Sequence, residues 1–257
     1  MNEQPRYTSA TTTLEFRRNL ALVRDRIAGA AIRAGRSPGD VRLLPVSKTV
    51  ESARLRLAIE AGCTDLGENK VQEALRKSVE LADVPGLRWH VIGHLQSNKA
   101  RFVAQFADEF QALDRLSLAR TLNNRLEAAN RTLQVMVQIN TSGEDSKFGL
   151  PPQEAEAFIQ ELPAFERLHI TGLMTLAINS PDESRVRACF QTLHKLKRQL
   201  SENTPSGVEL TELSMGMSGD FELAVEEGAT VVRVGQAIFG PRALPDSYYW
   251  PDGDKMR

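Results

Sequence analysis

Apolar runs of strand length recur along this chain with helical patterns between them, the arrangement that builds βα units and a parallel sheet. Eight runs qualify: Val41–Lys48, Asp65–Glu68, Arg88–Gly93, Glu109–Leu113, Leu133–Asn140, His169–Met174, Glu212–Met215 and Val231–Gly235. Eight strands, each followed by a helix, predict an α/β fold: a single (β/α)8 TIM-type barrel with an extra N-terminal helix. A doubly wound open sheet is the alternative.

The helices announce their own ends. Ser180-Pro181-Asp182-Glu183 reads as a capping box with proline at the first helical position, and Pro151-Pro152 opens another helix. Gly35 and Gly62 read as C-terminal caps. Before the first strand, Phe16, Leu20, Val23, Ile27 and Ala31 follow the spacing of a helix with one buried face, begun by a capping box at Thr12 and Glu15. That helix would plug the barrel bottom or cover its side. No Gly/Ser-rich or Pro-rich linker divides the chain, so one domain is expected over 1–257. Met1–Thr13 reads as a loose lead, 14–243 as the barrel with its N-terminal helix, and 244–257 as an irregular tail that carries Tyr248, Tyr249, Trp250 and Pro251.

Charge excludes some partners. Lys and Arg number 32 against 33 Asp and Glu, and a chain so balanced has no general attraction for nucleic acid or anionic lipid. The longest apolar runs fall far short of the roughly 20 residues that span a bilayer. The two cysteines, Cys63 and Cys189, fall in segments that read as helical and core-facing, without the spacing of a metal or redox pair, which suits a reduced cytoplasmic protein.

In such a barrel the functional face is the C-terminal end of the strands. Lys48 ends a nearly continuous apolar run, where an amine can be desolvated enough to react with an aldehyde; the plainer reading is a strand-end lysine that reaches water. Arg233 places a permanent charge inside Val231-Val232-Arg233-Val234-Gly235, and such a charge needs a partner, either a structural carboxylate or a ligand. Ser214-Met215-Gly216-Met217-Ser218-Gly219-Asp220 runs from strand to helix with Ser218 as candidate N-cap; with Gly235-Gln236 it could cradle a phosphate, although Ser218 could equally be a plain cap. Gly67–Glu73 and Gly93–Lys99 are polar segments of the same strand-to-helix kind and could be simple capped helix starts. His90 reads as a satisfied core histidine, and His169 and His194 lack metal-like partners, so no metal site is expected.

Six strings, in order, carry a resemblance that runs from Val41 to Arg242: Val46-Ser47-Lys48-Thr49; Gly67-Glu68-Asn69 with Val71-Gln72-Glu73; Trp89-His90 with Ile92-Gly93 and Leu95-Gln96-Ser97-Asn98-Lys99; Gly172-Leu173-Met174; Leu213-Ser214-Met215-Gly216-Met217-Ser218; and Val232-Arg233-Val234-Gly235 with Ile238-Phe239-Gly240. In these the chain resembles the pyridoxal phosphate homeostasis protein family, single-domain relatives of the N-terminal barrel of alanine racemase. The resemblance implies pyridoxal 5′-phosphate (PLP) held as an internal aldimine on Lys48, Arg233 facing the pyridine nitrogen, the phosphate on Ser218, Gly235 and Gln236, and Asn69 and Ser214 lining the surroundings. It implies a cytoplasmic monomer that carries or buffers the cofactor, with apo PLP-dependent enzymes as recipients and no catalytic residues. An arginine cannot accept the pyridine proton and so weakens carbanion chemistry. Alanine racemase works with that arginine through a tyrosine from a second β domain of the partner subunit, and only 15 residues follow Arg242 here, so racemase activity is expected to be absent or weak. The alternatives are a PLP-dependent racemase or lyase of low activity, and a barrel for a phosphorylated ligand with no covalent cofactor. Lys70 and His94 depart from the family pattern. Lys147, in Glu144-Asp145-Ser146-Lys147-Phe148-Gly149, reads as a surface cation or as a second amine that receives cofactor before release.

Overall fold

The computed structural model describes residues 7–144 and 146–241. Eight parallel strands, β1 (Arg42–Pro45), β2 (Asp65–Glu68), β3 (Arg88–Val91), β4 (Glu109–Leu113), β5 (Leu133–Gln138), β6 (Leu168–Met174), β7 (Val208–Ser214) and β8 (Val231–Val234), lie in the order β1-β8-β7-β6-β5-β4-β3-β2. The two ends of that ribbon meet, for Val46 bridges Gly67 and the Ser47 N–H donates to the Gly67 carbonyl at 2.9 Å. An open sheet would leave both ends unpaired, so the ring excludes the doubly wound alternative and the expected barrel is the fold. The closure is thin. β1 joins β8 through four register pairs, Arg42–Val231 to Pro45–Val234, but joins β2 through one bridge. This β1–β2 seam lies directly below Lys48.

Around the ring run α1 (Thr13–Arg33), α2 (Ser52–Glu60), α3 (Val71–Glu80), α4 (Ala100–Phe106), α5 (Leu116–Ala128), α6 (Ala155–Glu161), α7 (Glu183–Ser201), α8 (Phe221–Glu226) and α9 (Gln236–Phe239). The capping box at Thr12 and Glu15 is formed as expected, and Phe16, Leu20, Val23, Ile27, Ala30 and Ala31 are the buried face of α1. That face covers the side of the barrel. Phe16 meets Phe239 edge-on with centroids 5.6 Å apart, Asn19 donates to the Ile238 carbonyl at 2.9 Å, and Arg26 pairs with Glu222 at 2.6 Å. Of the segment expected to be a loose lead, Tyr7 onward is described: Ala10 is buried, Arg54 donates to its carbonyl, and Tyr7 O–H donates to the Ser218 carbonyl. The expected tail over 244–257 lies outside the described residues.

Local readings needed correction at three points. The cap of α7 is Asp182, whose side chain accepts from the Ser184 N–H, while Ser180 accepts from Asp182 one step earlier; the capping function has moved two residues along the expected box. Cys63 lies in the turn after α2 rather than in a helix, although it and Cys189 are both buried and free. β7 begins at Val208, because buried Val208 and Leu210 alternate with exposed Glu209 and Thr211. Several strands also stop one to three residues early, where the chain bends out of the ring into the loops of the C-terminal face.

The barrel interior is not wholly apolar. Arg42 on β1 pairs with Glu109 on β4 at 2.9 Å, and Ser214 on β7 donates to Gln111 on β4 at 2.7 Å. These strands are not neighbours, so both bonds cross the lumen. At the N-terminal floor His90 lies between Glu109 and Asp65, with its Nδ1 2.9 Å from one carboxylate and its Nε2 2.7 Å from the other. Two carboxylate acceptors suit an imidazolium; burial opposes the charge, but these bonds raise the His90 pKa. His90 is thus the satisfied core histidine the sequence suggested.

Candidate functional site

Four adjacent strands, β2, β1, β8 and β7, bring the expected site residues to one sector of the C-terminal face. Lys48 follows β1 in a tight turn in which the Ser47 carbonyl accepts from the Val50 N–H at 3.0 Å. Lys48 is half-buried, and the next residue, Thr49, holds a left-handed backbone with φ 67°. That conformation is ordinary for glycine and strained for a β-branched residue. The lysine is therefore presented from a backbone that something must hold.

Asn69 follows β2. Gly93, after β3, packs so closely on it that a β-carbon there would lie 2.3 Å from the Asn69 carbonyl oxygen. Glycine at 93 lets the two loops touch, which sets how deep Asn69 sits.

Arg233 is buried on β8. One terminal nitrogen donates to Ser214 Oγ at 2.7 Å and the other to the Thr175 carbonyl at 2.8 Å; among the described residues it makes no ion pair. Burial pushes its pKa down to about 10, against the charge of Asp220. A guanidinium at that value is still a cation at neutral pH. Ser214 lies beneath Arg233, its hydroxyl accepting from the arginine and donating to Gln111, whose amide donates to Glu109. Every hydrogen in this string points from Arg233 toward the floor, so the arginine acts only as a donor.

Ser218 is not the cap of α8. Asp220 holds that position and accepts from the Met217 N–H, leaving the Ser218 hydroxyl to reach across to the loop after β8. There it accepts from the N–H groups of Gly235 at 3.2 Å and Ala237 at 3.5 Å. Gln236 lies between those two amides. Ser218, Gly235 and Gln236 are therefore brought together in one contiguous polar lip beside Arg233, by a hydroxyl-to-amide contact rather than a cap.

Sequence reasoning missed Lys77. This lysine of α3 is fully buried, its Nζ 2.7 Å from Glu68, 2.7 Å from Glu73 and 2.8 Å from the Ser47 carbonyl. The available signal was the Glu73–Lys77 spacing of four, which ordinarily marks a solvated helix pair. Lys147 lies outside the sector, after β5, where its amine pairs with Glu144 and donates to the Ala177 carbonyl at 2.9 Å. Neighbouring Phe148 stacks on His94 with centroids 3.7 Å apart. Among the described residues no group of three or more His, Cys, Asp or Glu side chains could hold a metal ion, and no helix is long and apolar enough to cross a membrane.

The family model for the alanine racemase N-terminal domain matches residues 16–243. The pyridoxal phosphate homeostasis protein of Pseudomonas aeruginosa is 43% identical over 224 residues, covering 87% of this chain and 94% of the relative. That of Escherichia coli K12 is 42% identical over 226 residues, covering 87% and 95%. Among solved structures, PipY of Synechococcus elongatus with PLP bound superposes with a TM-score of 0.74 at 36% identity, covering 85% of this chain and all of that one. An alanine racemase of Clostridium difficile shares the fold, with a TM-score of 0.69 at 16% identity over 90% of this chain and 58% of the racemase.

Proposed function

The chain belongs to the pyridoxal phosphate homeostasis protein family, and from that premise we propose that it binds PLP reversibly at the β2-β1-β8-β7 sector and serves cofactor homeostasis without turnover of its own. Arg233 carries the reading. A buried guanidinium whose side-chain hydrogen bonds, among the described residues, go to a hydroxyl and a carbonyl keeps positive field for an incoming group, and it stands beside a lip of amides and a hydroxyl suited to a phosphate.

The residues present fit the cofactor. Lys48 would supply the amine, Arg233 would face the pyridine nitrogen, Ser218, Gly235 and Gln236 would take the phosphate, and Asn69 would flank the ring at the depth Gly93 fixes. Ser214 would act from beneath, holding Arg233. When bound, PLP would supply an aldehyde, an electrophile matched to the amine of Lys48. Arg233 would donate toward the nitrogen and could accept no proton from it, so the site would not make the ring the strong electron sink that a carboxylate partner would. We place the protein in the cytoplasm, as a monomer that hands cofactor to apo PLP-dependent enzymes; its two buried free cysteines suit a reducing compartment.

The test is the visible absorption of the purified protein with PLP, followed by borohydride reduction and peptide mapping, with Lys48→Ala as control. A yellow protein whose reduced adduct maps to Lys48 is expected. A protein that stays colourless and unmodified would overturn the reading in favour of a site for a phosphorylated ligand. Scrambling of single L-amino acids at rates typical of enzymes would replace the carrier with a racemase.

A further inference from the structure

The turn that carries Lys48 is held by groups that no aspect of cofactor binding yet explains. The barrel's own ladder gives it little, since β1 and β2 share one bridge at Val46–Gly67. Yet both peptide units that flank Lys48 are bonded to one buried cluster. On one side the Ser47 carbonyl accepts from Lys77 Nζ at 2.8 Å, and the Ser47 hydroxyl donates to Glu68 Oε1 at 2.6 Å. On the other side the Thr49 N–H donates to Glu73 Oε1 at 2.7 Å. Lys77 ties these arms together, being 2.7 Å from the same oxygens, Glu68 Oε1 and Glu73 Oε1.

Three features set this apart from an ordinary core ion pair. Lys77 is wholly buried, which lysine rarely is unless paired. Its cluster bonds to backbone on both sides of one residue, and that residue is the amine of the site. The backbone it holds is the left-handed Thr49, a conformation that persists in a non-glycine residue only where surrounding contacts over-determine it.

We propose that Lys77, Glu73 and Glu68 form a clamp across the β1–β2 seam that presets the Ser47–Thr49 backbone, so that the Lys48 amine is already aimed into the mouth when PLP arrives. Lys77 and Glu73 are positioning residues. Lys77 is itself no second site of attachment, because three acceptors surround its nitrogen and solvent does not reach it. The inference rests on Lys48 being the residue that takes the cofactor, and it adds the device that makes it competent.

Lys77→Met would leave two carboxylates without their cation and could fail to fold for that reason alone, so Glu73→Ala is the variant of choice. It removes the arm on Thr49 and leaves Lys77 and Glu68 as a neutral buried pair. The readouts are the rate at which visible absorbance appears when PLP is added to cofactor-free protein, and the fraction of borohydride-trapped label on the Lys48 peptide. With unchanged far-UV circular dichroism, Glu73→Ala is expected to slow capture on the order of tenfold, the scale of a misaimed reacting group. Adding Thr49→Gly, which holds a left-handed backbone without support, is expected to recover most of that rate. Capture by folded Glu73→Ala at the parent rate would overturn the clamp, as would a slow variant that Thr49→Gly does not rescue. Should the parent itself fail to label at Lys48, the assignment of the cofactor site falls instead, which keeps the two failures apart.

Discussion

Two buried cations stand on neighbouring parts of the ring and are treated in opposite ways. Lys77, behind the β1–β2 seam, has carboxylates directly against its nitrogen. Arg233, on β8, hydrogen-bonds through its side chain to a hydroxyl and a carbonyl among the described residues; Asp220 acts on it by charge without an ion pair, and the nearest carboxylate along its hydrogen-bonded string, Glu109, is two side chains away. A cation neutralised on the spot has little field left and serves the scaffold. One whose hydrogen bonds go to neutral dipoles retains more of its field for a ligand.

The largest test of that contrast is stability. Lys77→Met strands the buried carboxylate of Glu68 and takes the cation from partly exposed Glu73, and should cost about 3–5 kcal/mol in urea unfolding. Arg233→Met breaks no ion pair; it strands a hydroxyl and a carbonyl and removes a cation from the field of Asp220, and should cost about 1–3 kcal/mol. Equal losses would erase the distinction.

Acidity separates the two regions next. Burial works to raise the Glu109 pKa, but the hydrogen bond and charge of His90, with the charge of Arg42, hold it down at about 2, below the ordinary 4.5. A folded-state pKa below the unfolded one gives stability that is present above pH 4.5 and is lost as pH falls through 2, on the order of 3 kcal/mol. Glu68 runs the other way: burial outweighs Lys77 and pushes it up to about 6. Its contribution is present below pH 4.5 and is lost as pH rises through 6, on the order of 2 kcal/mol. Unfolding midpoints across the acid range should therefore peak between these windows. Glu109→Gln should flatten the acid limb, and Glu68→Gln the limb above it; limbs unchanged by these variants would show that neither cluster sets the profile.

The cofactor answers to the arginine more than to its supports. Arg233→Met should weaken PLP retention by roughly tenfold to a hundredfold, the range for hydrogen bonds to charged groups, as read by equilibrium dialysis. Gln111→Leu, which cuts the string below Ser214, should move it by less. Smallest of all, Thr49→Gly alone should raise stability by under about 1 kcal/mol, because the relief of the left-handed strain is partly offset by the freer unfolded chain.

How much of this was legible depended on whether a residue broke its local pattern. Arg233 was visible because a charge inside Val-Val-Arg-Val contradicts a buried strand, and Lys48 because it ends an apolar run. Lys77 was invisible for the converse reason. It sits in a charged helix, Val71–Glu80, where lysine four residues after glutamate is unremarkable, and its burial shows only in the fold, where Glu68 and the Ser47 carbonyl meet its nitrogen. Gln111 was likewise hidden in Glu109–Leu113, since its importance comes from Ser214, 103 residues away across the lumen. Ser218 was read as a cap because position suggested one; Asp220 two residues later took the role, which no local rule decides.

The seam has one more consequence, in how the molecule breathes. A closed ring has no free edge, so the backbone amides of β5 and β6, paired at several positions on both sides, become available to solvent chiefly when the whole domain lets go. The single rung between Val46 and Gly67, like the single register pair Ser214–Val231 between β7 and β8, is a different kind of joint. Once the side chains of Glu68, Glu73 and Lys77 let go, the ring can part at Val46–Gly67 by a small local excursion without disturbing the four-pair β1–β8 ladder. In deuterated water the amides of Ser47 and Thr49 should report that excursion, exchanging well ahead of the far wall of the barrel.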